Sequence, residues 1–150
     1  MTTSAGRLAS FAAELELSLG DVASVERSTG VLGHAEVRLA PARPDALGVI
    51  WLEGVDEVIV ETLGGEGGRW ELGTAEEDFE LVEAIVRSVI AGRVSEVFGP
   101  GRSRVTVTLA DGTSRSELGL TAPAGCLPLP FWTRWGRRVH YTPYRDDDHR

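Results

Sequence analysis

The chain contains no lysine, asparagine or glutamine, so all 15 of its basic side chains are arginine. Lysine and asparagine codons are rich in A and T, and their absence indicates a GC-rich coding sequence, typical of a GC-rich bacterium. This bias describes the gene and says nothing about activity. With 150 residues, the chain is long enough for one domain with a hydrophobic core of its own.

Cysteine is nearly absent. Cys126 is the only one, so the chain forms no intramolecular disulfide and needs no oxidising compartment. Long apolar runs are also missing. No stretch approaches membrane-spanning length, and Glu14 and Glu16 interrupt the segment around Phe11, where a signal peptide needs an apolar run. We therefore expect a cytoplasmic protein with no membrane partner.

Positive charge is scarce in the first two thirds of the chain. Residues 1–100 hold 18 acidic and 7 basic side chains, net −11, whereas residues 101–150 hold 5 acidic and 8 basic ones, net +3. An acidic body repels phosphate backbones, which argues against nucleic acid as a partner. The basic C-terminal part is left to bind an anion or to dock on the acidic face of the chain itself.

Two segments have the periodicity of amphipathic helices. The first covers residues 4–19 and ends at Gly20. The second follows Thr74, which with Glu77 three residues later predicts a capping box. It ends at Gly92, because glycine enters the left-handed conformation of a helix C-cap without steric cost.

The other segments alternate like β-strands or form short apolar runs between turns. Residues 21–32 are polar and uneven and predict no element. The predicted strands cover 34–39, 47–52, 57–63, 69–72, 94–98, 105–109 and 113–118. Between the last two, Asp111-Gly112 predicts a two-residue type I′ turn with positive φ at both positions.

These elements predict a single α+β domain over residues 1–122. Hairpin signals outnumber long crossovers, so we expect a mostly antiparallel sheet of about six strands with both helices on one face. The order is helix, three or four strands, helix and three strands. Residues 123–150 form a tail that we expect to pack on the same domain, with prolines that exclude a long helix and a frayed end at residues 146–148.

The tail is the strongest candidate for a functional surface. Aromatic rings interleaved with arginines stack on ligands or bases and concentrate binding energy at protein interfaces. The candidate interface residues are Phe131, Trp132, Arg134, Trp135, Arg137, Arg138, Tyr141 and Tyr144. The alternative is that the rings complete the core and the arginines pair with the acidic body, because a chain with few aromatics needs most of them inside.

Two other clusters have plainer interpretations. The glycines of residues 64–68 surround Glu66 and lack the lysine and hydroxyl residue of a phosphate-binding loop, so we expect a hairpin tip. Four carboxylates near one hairpin have the chemistry for acid–base work or for a hard cation, but a solvated strand face explains them as well. These carboxylates are Glu53, Asp56, Glu57 and Glu61.

The thiol and the imidazoles show no pattern that predicts chemistry. Cys126 and the three histidines, His34, His140 and His149, lack metal-ligand spacing and form no nucleophile–base pair in sequence. We therefore expect no catalytic residue, no cofactor and no metal, and a cysteine that is either buried or simply tolerated.

The order of helix, strands, helix and strands resembles that of the small acidic secretion-chaperone-like proteins and of several small immunity proteins that neutralise bacterial toxins. The resemblance implies a non-enzymatic protein that binds another protein or itself. One alternative is a small-ligand-binding domain or enzyme, in which His34, Cys126 or His140 meets a carboxylate in a pocket between sheet and helices. Another is nucleic-acid binding by the arginines of the tail alone.

Overall fold

The structure, a computed structural model, describes residues 4–146. Its helices are α1 (Ser4–Leu19), α2 (Glu76–Ile90) and the short α3 (Trp132–Trp135). Its strands are β1 (Ala23–Thr29), β2 (Ala35–Pro41), β3 (Val49–Glu53), β4 (Val58–Thr62), β5 (Arg69–Leu72), β6 (Val94–Gly99), β7 (Arg102–Thr108), β8 (Ser114–Leu120) and β9 (Arg137–His140). None of the described helices has the length and apolarity needed to cross a membrane.

The strands form two antiparallel sheets, with the orders β1-β2-β3-β4-β5 and β8-β7-β6-β9. The predicted α+β class is confirmed, but the single sheet of about six strands is replaced by one sheet of five and one of four. The strands before α2 pair only with each other, and so do those after it. The first sheet is a simple meander, and the second takes its last strand from the C-terminal tail.

One hydrophobic core joins α1 and α2 to both sheets. Phe11 of α1 packs against Trp51 of β3, with ring centroids 5.7 Å apart. Ile85 of α2 and Val105 of β7 are completely buried in the same cluster, which also contains Tyr144 from the tail. Burial of this apolar surface is the main force that holds the sheets together.

Helix α2 begins one residue later than its sequence predicts. Its N-cap is Ala75 instead of Thr74, and the Ala75 amide donates to Oδ2 of Asp78 over 3.0 Å. Asp78 therefore has the role predicted for Glu77. Alanine has no side-chain acceptor, so only this half of a capping box is formed.

The predicted end of α2 at Gly92 is confirmed. Gly92 has a φ of +73°, and its amide donates to the carbonyl of Val89 over 3.0 Å. The next amide, that of Arg93, donates to the carbonyl of Ser88 over 2.9 Å. Together these bonds make a Schellman motif, which satisfies carbonyls that the helix leaves free.

Two strands have no counterpart in the predictions. Strand β1 lies in the polar stretch that predicts no element, yet it pairs with β2 along its whole length. Its side chains are mostly exposed, so the apolar alternation that marks a half-buried strand is missing. Strand β9 lies in the tail and pairs with β6.

The predicted β7–β8 hairpin is confirmed, but its turn is not type I′. Gly112 has a φ of +88°, whereas Asp111 does not have positive φ. The Gly112 amide donates to the Leu109 carbonyl over 3.0 Å, and the Leu109 amide donates to the Thr113 carbonyl over 2.8 Å. These bonds close a three-residue loop, in which only the last position needs a left-handed residue.

We expect Gly92→Ala to lower the free energy of unfolding by more than Gly20→Ala. Both glycines follow a helix and have positive φ, +73° and +56°, so each variant bears a strain of about 1 kcal/mol. Only at Gly92 does the new methyl group meet the chain, 2.5 Å from the Pro143 nitrogen, whereas nothing lies within 4 Å of it at Gly20. Urea unfolding measures both losses, and equal losses would contradict the prediction.

Candidate functional site

The first part of the tail is held against the second sheet by a buried arginine. Arg102 of β7 is only 7% exposed. Its guanidinium donates to the carbonyls of Pro100, Ala124 and Leu127 over 3.1, 2.9 and 2.5 Å. Such charge-assisted bonds are among the stronger hydrogen bonds in proteins. They fix the 3₁₀ turn Ala124–Cys126, from which the chain continues to α3.

Two of the candidate interface residues belong to the interior. Trp132 is 9% exposed and Tyr144 is 1% exposed. The Tyr144 hydroxyl donates to the carbonyl of Leu47 over 2.7 Å, and the guanidiniums of Arg102 and Arg104 each lie 5.9 Å from the Trp132 ring. These two rings complete the fold and offer no surface to a partner.

A third candidate, Tyr141, belongs to a buried polar cluster that we call the Glu96 network. The Tyr141 hydroxyl donates to Oε1 of Glu96 over 2.7 Å. Oε2 accepts from the Gly65 amide over 2.9 Å and from the Ser103 hydroxyl over 2.6 Å. The Ser103 oxygen in turn accepts from the Gly67 amide over 2.7 Å. The Glu96 network therefore joins the β4–β5 loop of the first sheet to β6, β7 and the tail.

Glu96 is completely buried, and it forms no ion pair within residues 4–146. A buried carboxylate is costly unless it is hydrogen-bonded, and the three donors supply that compensation. Burial, the hydrogen bond to Glu96 and the charge of Glu96 together raise the pKa of Tyr141. The tyrosine therefore stays a donor.

The Glu96 network also explains the glycine run, which joins β4 to β5 as a hairpin loop. The amides of Gly65 and Gly67 are bonded inside the protein, so they are not free to bind a phosphate group. A methyl group at Gly65 would lie 2.5 Å from the Phe98 ring and 2.9 Å from the Ser103 hydroxyl. Glycine is needed here for the close approach of backbone to carboxylate.

Three candidate residues form an exposed surface that we call the aromatic patch: Phe131, Arg134 and Trp135. Phe131 is 67% exposed and Trp135 is 57% exposed, and the Arg134 guanidinium lies 5.0 Å from the centroid of the Phe131 ring. Phe131 is also the N-cap of α3 with a φ of +60°, the sole non-glycine residue with positive φ in the described chain. Such strain costs about 1–3 kcal/mol and is concentrated at functional sites.

The positive charge around the aromatic patch is not neutralised by the acidic body. Neither Arg134, Arg137 nor Arg138 forms an ion pair within residues 4–146. Arg137 lies over the Phe98 ring at 4.5 Å, and Arg138 is exposed on β9. The part of the alternative interpretation in which these arginines pair with the acidic body therefore fails for the described residues.

The cysteine and the histidines do not converge. Cys126 is exposed, so the expectation of a buried thiol is wrong and that of a tolerated one remains. His140 is exposed on β9, and His149 lies outside the described residues. His34 lines a cleft elsewhere in the molecule. No group of three or more acidic, histidine or cysteine side chains in residues 4–146 is arranged to hold a metal ion.

The four carboxylates near the β3–β4 hairpin also separate. Asp56 and Glu57 are exposed and precede β4, and Glu61 lies 3.6 Å from Arg69 in an ion pair. Glu53 and Glu61 are partly buried, and burial raises the pKa of the Glu53 carboxyl group. A shared acid–base or cation site is therefore not formed.

A cleft of about 540 Å³, which we call the α1 cleft, opens between α1, the β1–β2 loop and the end of β3. Its apolar lining includes Leu8, Leu32, Val37, Trp51 and Val55. Its charged or titratable lining consists of Arg27, His34, Glu36 and Glu53. One of the histidines thus meets carboxylates between helix and sheet, as the small-ligand alternative requires, whereas Cys126 and His140 do not line this cleft.

Sequence reasoning missed Glu96 and Ser103. One sequence feature could have indicated the burial of Glu96: it occupies the same alternate positions of β6 as the apolar residues Val94 and Phe98. A charged residue in that phase is either exposed at an edge or buried with partners. Its partners at Gly65 and Tyr141 are too distant in sequence to be paired with it by pattern.

Comparison of the chain with protein-family models, with curated proteins and with solved structures finds no match in any of the three.

Glu96→Leu is expected to lower the free energy of unfolding by about 3 kcal/mol or more. The substitution removes the acceptor of one buried and two part-buried donors, and a buried donor without an acceptor costs about 1–3 kcal/mol. Glu96→Gln keeps one acceptor oxygen and should cost less. Urea denaturation of both variants measures the losses, and a leucine variant as stable as the glutamine variant would show that the bonds contribute little.

The two tyrosines should remain protonated in the folded protein well above pH 10. Burial raises the pKa of Tyr144, and burial with the Glu96 contact raises that of Tyr141, above the ordinary value of about 10. Below pH 10 their contribution to stability is therefore intact. It is lost as pH rises further, because the unfolded chain releases the protons first.

Tyrosinate absorbance and circular dichroism, followed together during an alkaline titration, test this order. We expect the absorbance to rise only as the protein unfolds. A rise centred near pH 10 with an unchanged fold would show that at least one hydroxyl is open to water.

Proposed function

We propose that this protein is a non-enzymatic binding module for another protein and that the aromatic patch is its contact surface. The observation that supports the proposal is the exposure of two large rings beside an arginine that stacks on one of them. Tryptophan, tyrosine and arginine dominate the binding energy of protein interfaces, and phenylalanine is also enriched there. The proposed mode is stoichiometric, as in chaperone-like and immunity-like proteins.

The charge distribution indicates what kind of surface the partner presents. Arg134 and Arg138 carry positive charge at or near the aromatic patch, while residues 1–100 carry a net charge of −11. An apolar depression with an acidic rim would be attracted by the patch and repelled by the rest of the molecule. Such complementarity steers encounter and fixes orientation. We place the module in the cytoplasm, because a single cysteine gives no reason for an oxidising compartment.

A second candidate function is the binding of a small ligand. The α1 cleft supports it, since its volume lies within the range of about 300–1,000 Å³ that is typical of ligand pockets.

Because the backbone of Phe131 is strained, two substitutions at this residue can distinguish the effect of losing the ring from the effect of relieving the strain. Phe131→Gly removes the ring and relieves the strain, whereas Phe131→Ala removes the ring and keeps the strain. We expect the glycine variant to be more stable than the alanine variant by about 1 kcal/mol. Urea unfolding of the two variants measures this difference, and an alanine variant of equal stability would contradict it.

The binding test uses point variants, because a chain cut before β9 would also lose the buried Tyr144. The full chain, immobilised, is incubated with lysate of the source organism and compared with Phe131→Gly and Trp135→Ala. Leu17→Ala is the control, since Leu17 is 88% exposed on α1. A partner bound through the aromatic patch should lose about tenfold or more in affinity for both patch variants and nothing for the control.

Capture that is unchanged in the patch variants would overturn this assignment of the surface. Size-exclusion chromatography of the wild-type chain tests whether the partner is a second copy. A monomer that captures no protein would overturn the binding-module proposal as a whole.

A further inference from the structure

We propose that the α1 cleft binds a small organic amine, with the apolar body of the amine against Leu32 and Val55 and its ammonium group beside Glu53. The inference names the ligand class for the second candidate function and is independent of the aromatic patch. It follows from the register of β2 against β3, the lining of the cleft and the charges that remain uncompensated there.

The register shows how the cleft arises. Val37 lies opposite Trp51 and Ala35 lies opposite Glu53, in neighbouring pairs on the same face of the sheet. Val37 and Trp51 are buried in the core, whereas Ala35 is exposed. At the end of the core-facing side of β2 and β3, the carboxylate of Glu53 therefore lies next to Ala35, whose side chain is too small to fill the space beside it. The α1 cleft is that unfilled space.

The walls of the α1 cleft suit an apolar body. Leu8 of α1 and Trp51 of β3 line its interior and are almost completely buried. At its edge lie Leu32 and Val55, which are 81% and 90% exposed. A ligand that covers these two side chains removes apolar surface from water, which is the main source of affinity in pockets of this kind.

The charges of the cleft favour a cation. Arg27 is already paired with Glu16 over 2.8 Å. Neither His34, Glu36 nor Glu53 forms an ion pair in the described chain. The uncompensated charge at the cleft is therefore negative.

The environment of Glu53 also favours a cation. Partial burial raises the pKa of its carboxyl group, so the carboxylate has lost part of its hydration without gaining an ion-pair partner. An ammonium group beside it would replace that water and stabilise the charged form. A ligand carboxylate would instead be repelled by both Glu36 and Glu53.

Three probes of the same shape and different charge test the proposal: tryptamine, tryptophol and indole-3-propionate. Binding is followed by two-dimensional amide NMR of the full chain, with the amides of Gly33, Ala35 and Gly54 as reporters in the cleft lining. We expect tryptamine to shift these signals and to bind about tenfold more tightly than the uncharged tryptophol, with indole-3-propionate weakest. The advantage of tryptamine should shrink as salt is added.

Glu53→Gln should remove most of the advantage of tryptamine over tryptophol, since only the charge of Glu36 remains in the cleft. Glu57→Gln is the matched control, because it removes the same charge from the same β3–β4 hairpin at an exposed position outside the cleft lining. Val55→Ser should weaken tryptamine and tryptophol by the same factor, since it changes only the apolar rim.

Equal affinities for tryptamine and tryptophol would overturn the choice of an amine and leave the cleft as a site for uncharged ligands. Equal effects of Glu53→Gln and Glu57→Gln would show that the attraction is general and would overturn the site. If none of the three probes shifts the reporter amides, both this inference and the small-ligand function fail.

Discussion

The hydrogen bonds to the Glu96 carboxylate are the interactions that determine how the two sheets are positioned against each other. Apolar burial brings the sheets together but does not specify their register, because it has no direction. The Glu96 network supplies that direction, since its donors come from the first sheet's β4–β5 loop, from β7 and from the tail. A slip of one residue along β6 would replace a satisfied carboxylate by an unsatisfied one. The glycines of the loop are the local requirement for that arrangement.

Local patterns predict the elements whose signals are complete within a few residues. The bounds of α1, the end of α2 at Gly92 and the extent of β5 are of this kind. Strands β1 and β9 are not, because a mostly exposed strand is defined by its partner rather than by its own alternation. The number of sheets is missed for the same reason: pairing is decided between distant segments.

Which residues of the candidate surface are exposed is also not predictable from local sequence patterns. Composition correctly marks the tail as unusual, but it does not separate the buried Trp132 from the exposed Trp135, three residues away. That difference depends on which residues of β6 and β7 lie beneath α3. The α1 cleft has no sequence signature, because Ala35 and Glu53 become neighbours only through the register of β2 and β3. The charge asymmetry is predictable from sequence, since the excess of acidic groups in the first hundred residues is a sum that folding does not alter.

The position of Tyr144 has a consequence for the synthesis of the protein. Its hydroxyl is bonded to Leu47, 97 residues earlier in the chain, and its ring belongs to the central core. The first sheet is a meander of neighbouring strands, so it is able to form while the ribosome is still translating the second. The core, however, stays open until residue 144 has emerged. The nascent protein therefore exposes apolar surface while the segment between Leu47 and Tyr144 is being synthesised, and its acidic charge opposes aggregation during that period.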